Sequence, residues 1–285
     1  MKQNKIYIRD PFVLAENGVY YLYGTRSETA FSKTADGFDV YTSGDLENWE
    51  GPFEVFRRPN DFWAIKHFWA PEVHVFQGKY YMFATFSDGV RQGTATLFAE
   101  QPKGPFLPLS VRTLTPESWA CLDGTLYVAK NGDPYLIFCH EWKQVQDGEI
   151  CAVRLNNALD GTIGDPFLLF KASQGKPAVR PFLFRNYVTD GPFCFRTEDG
   201  QLHLLWSSFG KRGYVQMVAH SSNDDIDGVW SVDPVPLFDR DGGHGMIFDA
   251  YDGRRMLTLH SPNRTKHEHP AFFELTYHNG SFRRI

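Results

Sequence analysis

The chain has 285 residues, of which 42 % are apolar and 22 % charged, with a formal net charge of −5. That composition is enough to bury a core and excludes a disordered chain. The charges are scattered and form no basic stripe, which excludes a nucleic-acid partner, and the acidic balance disfavours an anionic membrane surface.

Along the chain, the start Met1–Ile6 has no apolar signal region, and no stretch approaches the roughly 18 apolar residues of a membrane span. The sequence therefore reads as a soluble, cytoplasmic protein with no membrane partner. Aromatic residues reach 16 %, with 25 Phe, 13 Tyr and 7 Trp. Such residues favour pleated sheets, and their flat faces also suit stacking on sugar rings. Four cysteines, Cys121, Cys139, Cys151 and Cys194, lie far apart with no C-x-x-C pair, so they read as buried free thiols rather than a disulfide framework or a zinc site.

One pattern returns five times. Each copy has a polar head, a short apolar stretch, a glycine turn and an apolar-aromatic run. The heads are Asp10, Glu72, Asp123, Asp190 and His244. The turns are Asn17-Gly18, Gln77-Gly78, Asn131-Gly132, Asp199-Gly200 and Asp252-Gly253, and four of these are the Asn-Gly or Asp-Gly pairs that tight hairpins need. Successive turn glycines are 60, 54, 68 and 53 residues apart. That is room for about four strands per unit, the size of a propeller blade. The spacing predicts an all-β, five-bladed β-propeller forming one domain over residues 1–285, with negligible helix.

In a propeller the first strand of each blade lines the central channel. Five heads at equivalent positions would gather at one end of it. Four are acids, and acids facing one another are electrostatically unfavourable, so stability alone would not place them there. The bland alternative is that each is a turn former at a strand entrance. The second strand of each hairpin returns to the same face, which brings Glu141 and its neighbours His140 and Trp142 near the mouth.

These residues resemble glycoside hydrolase family 43, the five-bladed arabinofuranosidase, xylosidase and arabinanase family, over nearly the whole chain. Arg9-Asp10-Pro11 looks like its general-base motif, Trp69-Ala70-Pro71-Glu72 like its second-blade motif, and Asp123-Gly124 occupies the place of the acid that orients and tunes the general acid. Gly243-His244-Gly245 matches the fifth-blade histidine, which in many members faces a metal or water cluster. The resemblance implies an inverting hydrolase that acts on a small oligosaccharide and needs no cofactor for its chemistry. A calcium ion near His244 would be mostly hydrated, since one histidine is a poor site for a hard cation. The family's general acid is a Glu in Glu-Gly-Pro, whereas this chain has Asp190-Gly191-Pro192. Asp is one methylene shorter, by roughly 1.5 Å, so three outcomes stand open: Asp190 remains the acid, Glu141 supplies it, or the protein only binds sugar.

Phe31, Trp69, Trp142 and Trp206 are candidate pocket walls, and Arg264 a candidate contact to sugar or acid. The expected activity is exo-acting α-L-arabinofuranosidase, with β-xylosidase as the alternative. A retaining fructan hydrolase would carry an Asn-Asp-Pro-Asn-Gly nucleophile motif instead of Ile8-Arg9-Asp10-Pro11-Phe12. A phosphorylase would need a basic cluster, for which only Arg9, Arg26, Arg180 and Arg264 could be claimed.

Overall fold

In the computed structural model, which describes residues 1–175, 186–278 and 281–284, the chain is 56 % strand and 4 % helix. Among the described residues, twenty strands form five four-stranded antiparallel sheets, each made of four consecutive strands. The blades span residues 8–57, 66–108, 121–171, 190–232 and 243–284. Their inner strands are Ile8–Glu16, Lys66–Phe76, Cys121–Val128, Asp190–Arg196 and Gly243–Asp249. The five-bladed propeller and the minimal helix are as the repeat predicts. Each predicted hairpin turn joins the first and second strand of a blade, with positive φ at the second-position glycines, from 76° at Gly78 to 87° at Gly132.

Large apolar side chains fill the wedges between blades. Phe38, Phe56 and Phe86, all fully buried, knit blade one to blade two. Trp206 packs 5.5 Å from Phe170, ring centre to ring centre, between blades three and four. The four cysteines are free thiols.

Among the described residues no strand is shared between the last blade and the first, and side chains close the ring. Trp49 stacks on Phe272 at 5.8 Å and 11°. His269 Nδ1 donates to the Ile6 carbonyl at 2.9 Å. Arg9 Nη1 pairs with the fully buried Glu268 at 2.6 Å.

All five inner strands make a β-bulge at the same register. Pairing runs from Arg9↔Thr25 to Phe12↔Tyr23 in blade one. It runs likewise from Trp69↔Thr85 to Glu72↔Phe83, Leu122↔Cys139 to Thr125↔Ile137, Asp190↔Ser207 to Phe193↔Leu205, and Gly243↔His260 to Met246↔Thr258. A bulge sets two residues against one and re-aims a side chain. Its first residue is left-handed in every blade, with φ of 52° at Asp10, 46° at Ala70, 57° at Asp123, 50° at Gly191 and 52° at His244.

This register corrects the expectation of five equivalent heads. Asp10, Asp123 and His244 are equivalent. Asp190 stands one residue earlier, towards the mouth, because Gly191 takes the bulge. Glu72 stands two residues later, deeper in the channel, because Ala70 takes it. Gly191 is required there because a Cβ would stand 2.7 Å from the His244 ring; the left-handed φ by itself is met by Asp10, Ala70, Asp123 and His244 in the other blades.

Candidate active site

The bulges converge on a cavity of about 390 Å³ at the mouth of the channel, with Asp10, Asp123, Asp190 and His244 at its floor. Below them Phe12 lies 5.1 Å from His74 and 6.1 Å from Phe193, ring centre to ring centre. These rings fill the axis, so a ligand reaches the acids from the mouth.

Hydrogen bonds lace neighbouring blades at the bulge. The bulge N–H reaches back to the second strand of the preceding blade: Asp10 N–H donates to His260 Nδ1 at 3.1 Å, Ala70 N–H to Thr25 Oγ1 at 2.7 Å, Asp123 N–H to Thr85 Oγ1 at 2.7 Å, and His244 N–H to Ser207 Oγ at 2.7 Å. The next residue is Pro11, Pro71 or Pro192, with no N–H to satisfy, or a glycine bonded from the third strand. Gly124 N–H donates to Thr94 Oγ1 at 3.0 Å and Gly245 N–H to Gln216 Oε1 at 2.7 Å. These bulge N–H groups thus have partners, as buried backbone donors require.

Blade four departs from this pattern. The equivalent residue of blade three is Cys139, a poor acceptor, and Gly191 N–H donates to Asp123 Oδ2 instead, at 3.1 Å. The exchange orients Asp123 toward the strand that carries Asp190.

The three acids are held differently. Burial would push Asp10 up, but His244, Arg9, His260 and a 2.6 Å hydrogen bond from Thr25 Oγ1 outweigh it and hold its carboxyl below the ordinary carboxylate value. His244 Nδ1 stands 3.1 Å from Asp10 and 3.7 Å from Asp123. Burial works against its charge, yet the surrounding carboxylates raise it, so it supplies a cation amid the acids. His260 is the opposite case. Burial and the nearby Arg9 push it down to about 3. Its Nδ1 accepts the Asp10 N–H, so in the neutral ring the proton is on Nε2, which donates to Asn263 Oδ1 at 3.2 Å.

Burial drives Asp190 up to about 6 and Asp123 up to about 8 against the pull of His244, with Glu141 and Asp10 adding to the rise at Asp190 and Asp190 and Asp10 to that at Asp123. The two titrate as a pair and share a proton near neutrality. Asp123 stands higher than Asp190 although the Gly191 N–H and His244 favour its anion; at Asp190, His244 and the Tyr214 hydroxyl, at 3.0 Å, favour the anion in turn.

Among the remaining sequence candidates, Phe31, Trp69, Glu141 and Trp142 line the cavity. Trp69 is fixed by its Nε1–H to the Ala30 carbonyl at 2.5 Å, by a stacked His67 at 4.1 Å and by Phe31 at 5.9 Å. Glu141 is buried, with Oε1 2.7 Å from Lys143 Nζ.

Four candidates lie elsewhere. Glu72 sits down the channel against His74 at 2.9 Å. His140 turns away, stacked on Trp119 at 4.1 Å and bonded to Glu149 and Gln144. Trp206 is core, because it occupies the second strand opposite the blade-four bulge. Arg264 is exposed in the loop after the fifth hairpin and does not line the cavity. The basic cluster a phosphorylase would need is not assembled by Arg9, which pairs with Glu268, Arg26, which pairs with Asp39, or Arg264. Arg180 lies outside the described residues.

Sequence reasoning missed Tyr214, Phe209 and Lys143, which also line the cavity, and the partners His260 and Thr25. The only available signal for Tyr214 was strand alternation, which sets it on the same face as Gln216. As for a metal, among the described residues no three His, Cys, Asp or Glu side chains stand in ligand geometry, and His244 Nδ1 is turned to Asp10. The side chains do not make a cation cage.

Carboxylates pushed in opposite directions from the ordinary carboxylate value around one cavity on a propeller axis are the equipment of a glycoside hydrolase. The comparisons agree. The profile of "Glycosyl hydrolases family 43" matches residues 5–280, and the chain belongs to that family. It is 29 % identical over 225 residues to "Xylosidase/arabinosidase 43A" of Humicola insolens, covering 72 % of this chain and 64 % of that protein. The structure of an endo-arabinase from Bacteroides thetaiotaomicron VPI-5482 is 40 % identical and superimposes with a TM-score of 0.90 over 99 % of both chains. A thermostable family-43 glycoside hydrolase, 22 % identical, shares the fold with a TM-score of 0.84 over 97 % of this chain and 92 % of that one. No helix among the described residues is long and apolar enough to cross a membrane.

Proposed function

We propose that the protein hydrolyses α-L-arabinofuranosyl linkages with inversion, using Asp10 as general base and Asp190 as general acid. The observation that carries this is the opposite displacement of these two carboxyls within one cavity, Asp10 downward and Asp190 up to about 6. A base must be ionised where its acid partner is still protonated.

Asp10 takes a proton from a water that attacks the anomeric carbon. Thr25 and His244 hold its carboxylate in place for that transfer. Asp190, steadied by Tyr214, protonates the departing oxygen. Asp123, oriented by the Gly191 N–H, shares the pair's proton with Asp190, and the reactive form is the one in which Asp190 carries it. Glu141 lies in the same cavity, but Lys143 engages it, which favours Asp190 for the acid. No step runs through a metal. Phe31, Trp69 and Trp142 supply flat faces for the sugar.

The likeness to the Bacteroides endo-arabinase supports arabinan as the polymer and favours internal cleavage, whereas the sequence alone suggested release of single arabinose units. Chromatography of products from linear arabinan separates the two: arabinose alone means exo action, and a ladder of oligomers means endo action. Proton NMR of the first-formed sugar tests the mechanism. The β anomer is expected from an α-arabinoside, and the α anomer would refute inversion. A parallel β-D-xyloside assay addresses the xylosidase alternative, which the Humicola relative's name supports.

A further inference from the structure

A second cavity, of about 1050 Å³, runs along the seam where the last blade meets the first. Arg26, Asp39 and Tyr41 of blade one form one wall. Lys5 and Tyr7, from the segment leading into blade one, face them, with Lys266 arriving from the last blade. Ser27, Glu28 and Thr29 line it as well.

The chemistry of the lining is specific. Three bases, Lys5, Arg26 and Lys266, stand against three acids, Glu28, Asp36 and Asp39. The formal charge is therefore nil, which selects neither a phosphate nor a cation. Arg26 and Asp39 already satisfy each other through two 2.6 Å bonds. The Tyr7 and Tyr41 hydroxyls and the Lys5 and Lys266 ammonium groups have no hydrogen-bond partner among the described residues. Tyr7 is 48 % exposed. Flat aromatic faces beside free donors and acceptors, at zero net charge, fit a neutral polyhydroxylated ligand.

The groove shares a wall with the catalytic cavity. Ser27 Oγ donates to one Glu268 oxygen at 2.7 Å, and Arg9 donates to the other at 2.6 Å. Arg9 and Phe31, the latter from the same loop as Ser27, line the catalytic side.

We propose that this seam groove binds a distal stretch of the neutral pentosan chain whose bond is cut in the catalytic cavity. This rests on the proposed function. The test uses linear arabinan and xylan as polymer probes and p-nitrophenyl α-L-arabinofuranoside as a probe too short to reach the groove. In Tyr7→Ala/Tyr41→Ala, KM for the polymer should rise about tenfold, as loss of aromatic anchors does, while kcat/KM on the short substrate stays at the wild-type value. Retardation in arabinan-containing native gels should be lost in the same variant. Tyr7 and Lys266 are exposed, so Tyr7→Ala and Lys266→Glu carry the test if the Tyr41 change disturbs folding. A folded variant with unchanged polymer KM and unchanged gel mobility overturns the groove while leaving the catalytic reading intact. A protein inactive on both linear arabinan and the short substrate but retarded by a polymer through Tyr7 and Lys266 overturns the catalytic reading and leaves the groove standing.

Discussion

The first and fourth blades make the same bulge at the same register and hold their carboxylates in opposite ways. In blade one the acid is the bulge residue itself. Asp10 is laced to His260 through its N–H, accepts from Thr25, and faces the cationic His244 and Arg9. In blade four the bulge residue is Gly191, and the acid stands one position nearer the mouth with a tyrosine hydroxyl for company. A one-residue difference along a strand, about 3.3 Å, separates a carboxylate surrounded by donors from one that is buried with few. The architecture thus gives the proposed base and the proposed acid the same side chain in opposite surroundings.

The largest way to break this contrast is to remove the base. Asp10→Asn should cost about 10²–10⁴-fold in kcat, the usual range for a general base, with circular dichroism and melting close to wild type. Full activity in the pure variant would reduce Asp10 to a turn former.

Removing the acid should cost as much, but selectively. Asp190→Ala should lose about 10²–10⁴-fold on arabinan and far less on dinitrophenyl arabinofuranoside, whose leaving group departs without a proton. If Glu141→Ala shows that selective pattern and Asp190→Ala does not, the acid is Glu141.

A smaller effect sharpens the comparison through Cys139. Activity should fall as pH rises through about 6, where Asp190 loses its proton. Cys139→Ser puts a hydroxyl acceptor where blades one, two and four have theirs, and draws Gly191 N–H from Asp123. The anion at Asp123 is then less stabilised, more of the shared proton moves onto Asp123, and the alkaline limb of the kcat profile should move to lower pH. Cys139→Ala adds no acceptor and should leave the limb in place, so a shift of equal size in both variants would sink the account.

The smallest effect is on stability. Asp123 is raised from its ordinary value to about 8, so the folded state holds a proton that the unfolded chain gives up near pH 4. Its contribution is full below the unfolded value and is lost as pH rises to about 8. Asp123→Asn removes that loss. Its Tm should exceed wild type by more at pH 8.5 than at pH 5, by roughly 2–4 °C for each kcal/mol regained. An equal Tm difference at both pH values would mean that Asp123 is not destabilised by burial.

The repeat, the blade count and the heads of blades one, three and five were legible because they depend on local chemistry. Asn-Gly and Asp-Gly turns, period-two patterning and blade-length spacing are written along the chain. The motif at Asp190-Gly191-Pro192 could be read, but not that Gly191 rather than Asp190 is the bulge residue. That depends on pairing with Ser207 and Leu205 across the hairpin. Nor could Trp206 be told from a pocket wall, since burial is decided by the neighbouring blade.

The sequence by itself therefore determined an all-β ring of five hairpin-led blades and the residues competent to carry charge into its channel, because turns and alternation act over a few residues. Only the tertiary structure decided which acids share the mouth, that Glu72 lies below it, that Tyr214 reaches Asp190, and that Cys139 leaves Gly191 N–H to Asp123. Those are contacts between blades tens of residues apart in the chain. Burial and neighbouring charge, which set each proton, exist only once the ring has closed.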